Sequence, residues 1–186
     1  LFDITQNNLP VCVVDCGLPQ AKSVGTEVQS RGAELDLVGE INEQWQISLS
    51  AAHTRLDDNP QGLAAQNELA NVHEFTPENT LAIATKYSPA AIEGLSVGGQ
   101  LRWQSDIYRT QGVVADTFAN AGEEIVTRQG AYGVLDITTH YAVNDNIDVR
   151  ATINNVTNEK YITSLYWAQG YYGEPTNVRI GIDYRF

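Results

Sequence analysis

The sequence predicts an all-β fold: antiparallel, up-and-down strands that form the wall of a transmembrane β-barrel. Three observations predict it: apolar and polar residues alternate along most of the chain, short and long connections follow one another, and the polar phase carries many charges. The 186 residues carry a formal net charge of −12 and no basic cluster, which excludes nucleic acid as a partner. Apolar runs stay far shorter than the ~18 residues that a transmembrane helix needs.

The alternation defines the strands one by one, because neighbouring side chains of a strand point to opposite faces. In Trp45–Ala51 every odd residue is apolar and every even residue is polar, and the same pattern ends the chain at Val178–Phe186. We predict eight strands, and they lie near residues 1–6, 22–41, 44–57, 77–88, 95–109, 128–143, 146–156 and 176–186.

The connections between these strands alternate in length. Short ones lie near 42–43, 88–94 and 144–145, and long ones of about 15–20 residues cover 7–21, 58–76, 110–127 and 157–175. In an up-and-down sheet, alternate connections lie at the same end. All short turns are therefore expected at one end and all long loops at the other, as in outer-membrane barrels.

Aromatic residues and charges agree with a wall that has one lipid face and one wet face. Trp45, Tyr87, Tyr141, Tyr184 and Phe186 fall at the short-turn end on the apolar phase, which is typical of an aromatic girdle. The alternative is the general preference of strands for aromatic residues. Burying the charges of the opposite phase unpaired would be prohibitive, so that phase faces water or a polar plug. They include Glu34, Asp36, Glu40, Arg102, Asp106, Asp136, Arg150, Arg179, Asp183 and Arg185.

Two segments of the chain resemble a known family. The tail reads I-N-N-V-T-N-E-K-Y over 153–161 and G-Y-Y-G-E-P-T-N-V-R-I-G-I-D-Y-R-F over 170–186. Upstream, V-Q-S-R-G-A-E-L-D-L-V-G-E-I over 28–41 precedes Trp45. These segments resemble TonB-dependent outer-membrane receptors of the ferric-siderophore type. The resemblance implies that 1–186 is the C-terminal portion of a roughly 22-stranded barrel, with the plug domain and TonB box absent.

The resemblance also implies a function. A receptor of this family lies in the bacterial outer membrane, binds a ferric siderophore and imports it with energy that TonB delivers through the plug. Outer-membrane lipid and the insertion machinery are then further partners, with Phe186 in the assembly signal. We expect no cofactor beyond the transported ligand, no metal site and no enzymatic activity. The alternative is a small self-contained outer-membrane barrel with a structural or adhesive role.

Candidate site residues lie in the long loops and at the outer end of one strand. Cys12 and Cys16 are close enough in sequence for a disulfide, whereas a metal site would need further ligands. The last long loop is rich in large aromatic side chains, which either pack on neighbouring loops or face a ligand. The residues that we predict to contact the ligand are Trp167, Tyr172, Tyr166 and Tyr171 in that loop, with Tyr108 and Arg109 at the outer end of an earlier strand.

Overall fold

A computed structural model describes residues 1–14, 19–20, 22–57, 72–165 and 170–186. Eight of its strands form one antiparallel sheet in the order β1-β2-β3-β4-β5-β8-β9-β12, and β6–β7 and β10–β11 form two small hairpins. The strands are β1 (Phe2–Val14), β2 (Lys22–Asn42), β3 (Trp45–Asp57), β4 (Asn79–Tyr87), β5 (Leu95–Gln104), β6 (Ile107–Val113), β7 (Glu124–Gln129), β8 (Tyr132–Asn144), β9 (Ile147–Asn154), β10 (Ile162–Ser164), β11 (Tyr171–Tyr172) and β12 (Asn177–Tyr184).

The predicted up-and-down wall of eight strands is confirmed. Within the described ranges, β1 and β12 lie at opposite ends of the sheet order and do not pair with each other. The sheet is therefore an open piece of wall. The alternative of a small barrel that closes on itself does not agree with this arrangement.

The register keeps the two phases apart across the sheet. Leu37 pairs with Leu49, Leu49 with Ile83, Ile83 with Leu101 and Leu101 with Leu135, so one apolar row crosses five strands. A slip of one residue between any two of these strands would turn apolar side chains to the polar face. The apolar face is left open, with Leu37 54% and Leu101 38% exposed.

Asparagine and glycine residues form the short turns. The Asn42 Oδ1 accepts a bond of 2.9 Å from the Gln44 backbone N–H, and the Asn144 Oδ1 accepts 2.9 Å bonds from two following backbone N–H groups. Such bonds let asparagine close a tight turn. Gly94 has φ +80°, and a Cβ there would lie 2.5 Å from the carbonyl oxygen of Ala142. Only glycine fits that turn.

Aromatic residues gather at the short-turn end, as the sequence predicts. Trp45 and Tyr87 are directly paired across two strands, with ring centroids 6.3 Å apart in an edge-to-face arrangement. Tyr184 and Phe186 lie 6.4 Å apart, and Tyr141 is paired with Leu95 at the same end of β5. Each of the five aromatic side chains is at least 39% exposed, as a girdle at a lipid interface requires.

The first predicted strand is too short and the first predicted loop too long. β1 continues to Val14 and pairs with β2 on both sides of a register shift, so residues 7–14 of the predicted loop are strand. A register shift between Gln6 and Leu9, with Asn8 at φ +61°, interrupts the pairing. The bulge breaks the two-residue alternation on which the prediction depended.

The predicted strand over 95–109 is in fact two strands. β5 ends at Gln104, and β6 leaves the main sheet to pair with β7. The Ser105 N–H donates to the Asn79 carbonyl (2.9 Å), which fixes the chain at the bend. The β6–β7 and β10–β11 hairpins therefore lie within or overlap stretches that we predict as loops, 110–127 and 157–175, because local alternation there is weak.

Candidate functional site

The end of the wall that carries the long connections holds most of the buried side chains. We call this region the outer end: residues 72–78, the β6–β7 hairpin, the first residues of β8, and 155–176 as far as they are described. Buried side chains in the described part of this region are Glu74, Ile107, Arg109, Val134, Asn155 and Leu165. The outer end is therefore a packed region, which lies beyond the part of the wall whose apolar side chains are exposed.

Glu74 attaches β6 to the segment before β4. Its residue is 8% exposed, its carboxylate Oε2 accepts a bond of 2.8 Å from the Thr110 N–H, and its carbonyl accepts one of 2.8 Å from the Tyr108 N–H. A buried carboxylate needs such donors. Glu74 therefore holds the β6–β7 hairpin through one side-chain bond and one backbone bond.

Tyr108 and Arg109 lie in that hairpin and already have protein partners. The Arg109 guanidinium lies 5.5 Å from the centroid of the Phe75 ring, and Arg109 is only 9% exposed. The Arg128 guanidinium lies 5.3 Å from the Tyr108 ring centroid. Cation–π contacts of this kind stabilise packing. Contact of these two residues with a ligand stays a prediction.

Asn155 holds the two ends of the last outer loop together. Its Nδ2 donates to the carbonyls of Glu159 and Glu174 (both 2.9 Å), and its Oδ1 accepts from the Glu159 N–H (2.8 Å). Its own N–H donates to the Asp136 carboxylate (2.8 Å) and its carbonyl accepts from the Thr176 hydroxyl (2.6 Å). Asn155 is 2% exposed and has φ +49°, a conformation that asparagine tolerates better than most residues.

A stacked pair of tyrosines fixes the same loop to β8. The Tyr132 and Tyr161 rings are 4.4 Å apart at an interplanar angle of 23°, and the Tyr132 hydroxyl donates to the Gln104 Oε1 (3.0 Å). A Cβ on Gly173 would lie 2.0 Å from the Tyr161 ring, and the Gly173 N–H donates to the Tyr161 carbonyl (2.9 Å). The absence of a side chain at Gly173 is therefore what lets the Tyr161 ring lie in this position.

The predicted ligand contacts of the last loop are only partly visible. Tyr171 and Tyr172 form β11, and they are 59% and 80% exposed. Trp167 and Tyr166 lie outside the described residues. Since Tyr108 and Arg109 belong to a different hairpin, the structure describes two separate groups of candidates, and ligand contact stays a prediction for all six.

Two cavities open near the outer end and differ in charge. One, of about 380 Å³, is lined by Glu74, Glu78 and Asp106 together with Arg55 and uncharged or His neighbours. The other, of about 280 Å³, has no acidic residue in its lining. Its walls are Ser50, Thr80, Leu81, Ala82, Arg102, Trp103, Gln104, Tyr132, Val134 and Tyr161.

The remaining predicted residues lie elsewhere. Cys12 is in β1, opposite Ser23, and is not a free thiol. Cys16 lies outside the described residues, so the pairing of Cys12 with Cys16 stays a prediction. Phe186 follows β12 at the short-turn end beside Tyr184, and its role in assembly also stays a prediction.

His53 and His140 each have a polar side-chain partner in the described part of the chain. The His53 Nδ1 lies 2.9 Å from the Asn79 Oδ1, and the His140 Nε2 lies 2.9 Å from the Asp148 Oδ1. Among the residues described, no group of three His, Cys, Asp or Glu side chains could hold a metal ion. The same residues include no helix that is long and apolar enough to cross a membrane.

The sequence does not single out Glu74, Asn155 or Gly173. Asn155 lies in the I-N-N-V-T-N-E-K-Y segment and Gly173 in the G-Y-Y-G-E-P segment, so the resemblance marks the right stretches without assigning these residues a role. Their function depends on partners as far away as 36 residues, which alternation cannot reveal.

Comparison with known families assigns the fold. The family described as "TonB dependent receptor-like, beta-barrel" matches residues 1–156. The chain belongs to this family of TonB-dependent receptors, and it supplies a part of the barrel wall.

Individual relatives narrow the similarity further. The chain is 28% identical to the "Ferric-pyoverdine BN7/BN8 receptor" of Pseudomonas putida over 189 residues, which is all of this chain and 20% of the relative. It is 28% identical over 149 residues to the "Probable TonB-dependent siderophore receptor PiuA" of Acinetobacter baumannii, with 73% of this chain and 17% of the relative covered. The chain thus spans about a fifth of the length of these relatives.

Solved structures share the fold. The pyoverdine outer membrane receptor FpvA of Pseudomonas aeruginosa PAO1, bound to pyoverdine, matches with a TM-score of 0.78 at 22% identity. The match covers all of this chain and 26% of that one. A likeness at this identity supports the architecture described above.

Proposed function

We propose that the full protein that carries this chain is an outer-membrane receptor that binds a ferric siderophore and imports it with energy delivered by TonB. The observation that carries the proposal is the similarity of the entire chain to a ferric-pyoverdine receptor. Within such a receptor, the chain supplies a section of the barrel wall and several of its outer loops. Transport makes and breaks no covalent bond, so no catalytic residue is required.

The two ends of the wall support this orientation. Aromatic residues and tight turns lie at one end, and packed hairpins with exposed tyrosines lie at the other. In outer-membrane barrels the tight turns are periplasmic and the long loops are outside. Tyr171 and Tyr172 would therefore face the medium from which the chelate arrives.

Uptake of radioactive iron tests the function. Cells that lack their own siderophore receptors and express the full receptor should accumulate iron-55 from ferric pyoverdine, and a deletion of TonB should abolish this uptake. A panel of ferric hydroxamates and catecholates serves as the second set of ligands. Normal outer-membrane abundance without uptake from any member of the panel would contradict the proposal.

Replacement of Tyr172 tests the site. In the full receptor, Tyr172→Ala should weaken binding of the transported chelate by about 1–3 kcal/mol, the usual cost of losing one interface aromatic. Tyr87→Ala, at the opposite end of the wall, is the matched control and should leave affinity unchanged. If abundance falls and affinity does not, the Tyr172 ring serves packing alone.

A further inference from the structure

The smaller of the two cavities, which has Arg102 and no acidic residue in its lining, has the features of a binding site. Its volume is about 280 Å³, and seven of its lining residues lie on the polar phase of β3, β4, β5 and β8. In a receptor barrel that phase faces the interior. The seven residues are Ser50, Thr80, Ala82, Arg102, Gln104, Tyr132 and Val134.

The floor of the cavity is small and its rim carries donors. Arg102 pairs with Ala82 across β4–β5, and Gln104 pairs with Thr80, so two long donor side chains stand beside short ones. Arg102 and Gln104 are two residues apart on one strand and share a face. The Arg102 side chain is 52% exposed, and it donates 2.9 Å to the Asp136 carboxylate through one amino group.

The carboxylate that pairs with Arg102 has a protein donor on each of its two oxygens. One oxygen of Asp136 accepts from Arg102 and the other accepts from the buried N–H of Asn155. A guanidinium offers five N–H donors, and among the described residues Arg102 uses one of them, in its bond to Asp136. The remaining donors are available to a ligand in a cavity whose lining contains no acid, although the chain as a whole carries a net charge of −12.

An aromatic wall closes one side of the cavity. Tyr132 and Tyr161 stack at 4.4 Å, and the backbone of Gly173 lies against the far ring. The Tyr132 hydroxyl donates to the Gln104 Oε1, and the amide nitrogen of the same side chain is a further donor in the lining of the cavity. A packed aromatic wall beside two donors suits a flat ligand with anionic oxygens.

We propose that this cavity is a subsite for an anionic, oxygen-bearing aromatic group, of the benzoate or catecholate class, on the transported chelate. The proposal rests on the siderophore-receptor function and specifies the chemistry of its ligand. Arg102 and Gln104 bind the anionic oxygens, and the tyrosine pair contacts the ring. Tyr171 and Tyr172 lie on the neighbouring hairpin and would contact other parts of the same ligand.

A small probe isolates the subsite from transport. We would measure binding of 2,3-dihydroxybenzoate to the purified full receptor by saturation-transfer NMR, with benzamide as the uncharged comparison ring. Arg102→Gln should weaken binding of the anionic probe roughly ten- to hundredfold, the scale of charge-assisted hydrogen bonds. Benzamide should bind the variant and the wild type alike.

Two further variants separate recognition from structure. The double variant Arg102→Gln/Asp136→Asn leaves no unpaired carboxylate, so the outer loop stays anchored, and it should lose the probe as the single variant does. Arg150→Gln, which removes another arginine of the polar face, should leave binding unchanged. Restored binding in the double variant would overturn the proposal, because Arg102 would then act only by neutralising Asp136.

The remaining outcomes also decide. An equal loss in Arg150→Gln means general attraction rather than a subsite, and absence of probe binding to the wild type means that another part of the receptor fills the cavity. Either result overturns the proposal. Iron uptake from ferric pyoverdine in the same cells keeps the two claims apart, since uptake without probe binding removes the subsite and leaves the receptor function standing.

Discussion

Along β2 to β5 the apolar side chains of the wall remain exposed on one face of the sheet, whereas the outer end of the same chain buries polar residues in hydrogen-bond networks. Leu35 and Leu37 are 50% and 54% exposed in the wall, while Asn155 is 2% and Glu74 is 8% exposed at the outer end. The wall therefore depends on strand pairing and on a lipid environment. The outer end depends on contacts that it makes with itself.

This difference explains how one chain can be stable in contact with both lipid and water. In lipid, every backbone polar group must be paired internally, and the continuous ladders of β2 to β5 do that. At the outer end, water is present and the backbone need not stay in the hydrogen-bonded ladder of the sheet. There, side chains such as Asn155 and Glu74 accept and donate the bonds that the ladder no longer provides.

The largest expected effect tests the wall. Leu49→Arg places a charge on the apolar row near the middle of β3, and it should destabilise folding into lipid by about 2–4 kcal/mol. The measurement is reversible folding of the full receptor into phosphatidylcholine vesicles. Ser48→Arg, one residue earlier on the polar phase, should have a mild effect. Equal effects at the two positions would contradict the assignment of the faces.

The next effect tests the outer end. Asn155 is 2% exposed, and Asn155→Ala removes its three side-chain hydrogen bonds to the backbone of Glu159 and Glu174, at a cost of about 2–3 kcal/mol. We expect faster proteolysis of the last outer loop and unchanged stability of the membrane-spanning strands. Asn154→Ala is the matched control, because that side chain makes one described bond, to Asn177. Equal destabilisation of the membrane-spanning strands and of the loop would mean that the two regions do not unfold independently.

The sequence predicts the wall well and the outer end poorly. The eight strands of the main sheet, their phase and the girdle of Trp45 and Tyr87 are predictable because lipid on one face and water on the other impose a period of two on every spanning strand. The Asn8 bulge and the bend at Ser105 interrupt that period, so the strand ends that the sequence predicts there are wrong. The roles of Asn155 and Gly173 come from tertiary partners, and no local pattern records them.

A smaller effect is expected where the tyrosine stack meets the backbone. Gly173→Ala forces a Cβ into the Tyr161 ring, and relieving the overlap should cost about 1–2 kcal/mol at the outer end. Hydrogen exchange of the Gly173 amide, which donates to the Tyr161 carbonyl, measures the effect. Gly181→Ala in β12 is the control, since nothing lies within 4 Å of its Cβ. Similar changes in both variants would show that the ring is free to move.

The smallest effect concerns the carboxylate that attaches β6. Glu74→Gln keeps an oxygen that can accept from the Thr110 N–H but removes the charge, so the bond should weaken by about 1 kcal/mol or less. Exchange of the Thr110 amide should quicken, and ligand affinity should change only if the β6–β7 hairpin contributes to the site. Glu78→Gln provides the control, because its side chain is exposed and its carbonyl, rather than its carboxylate, bonds to Thr54. An unchanged exchange rate in Glu74→Gln would mean that the charge contributes nothing and that a neutral acceptor suffices to hold the Thr110 N–H.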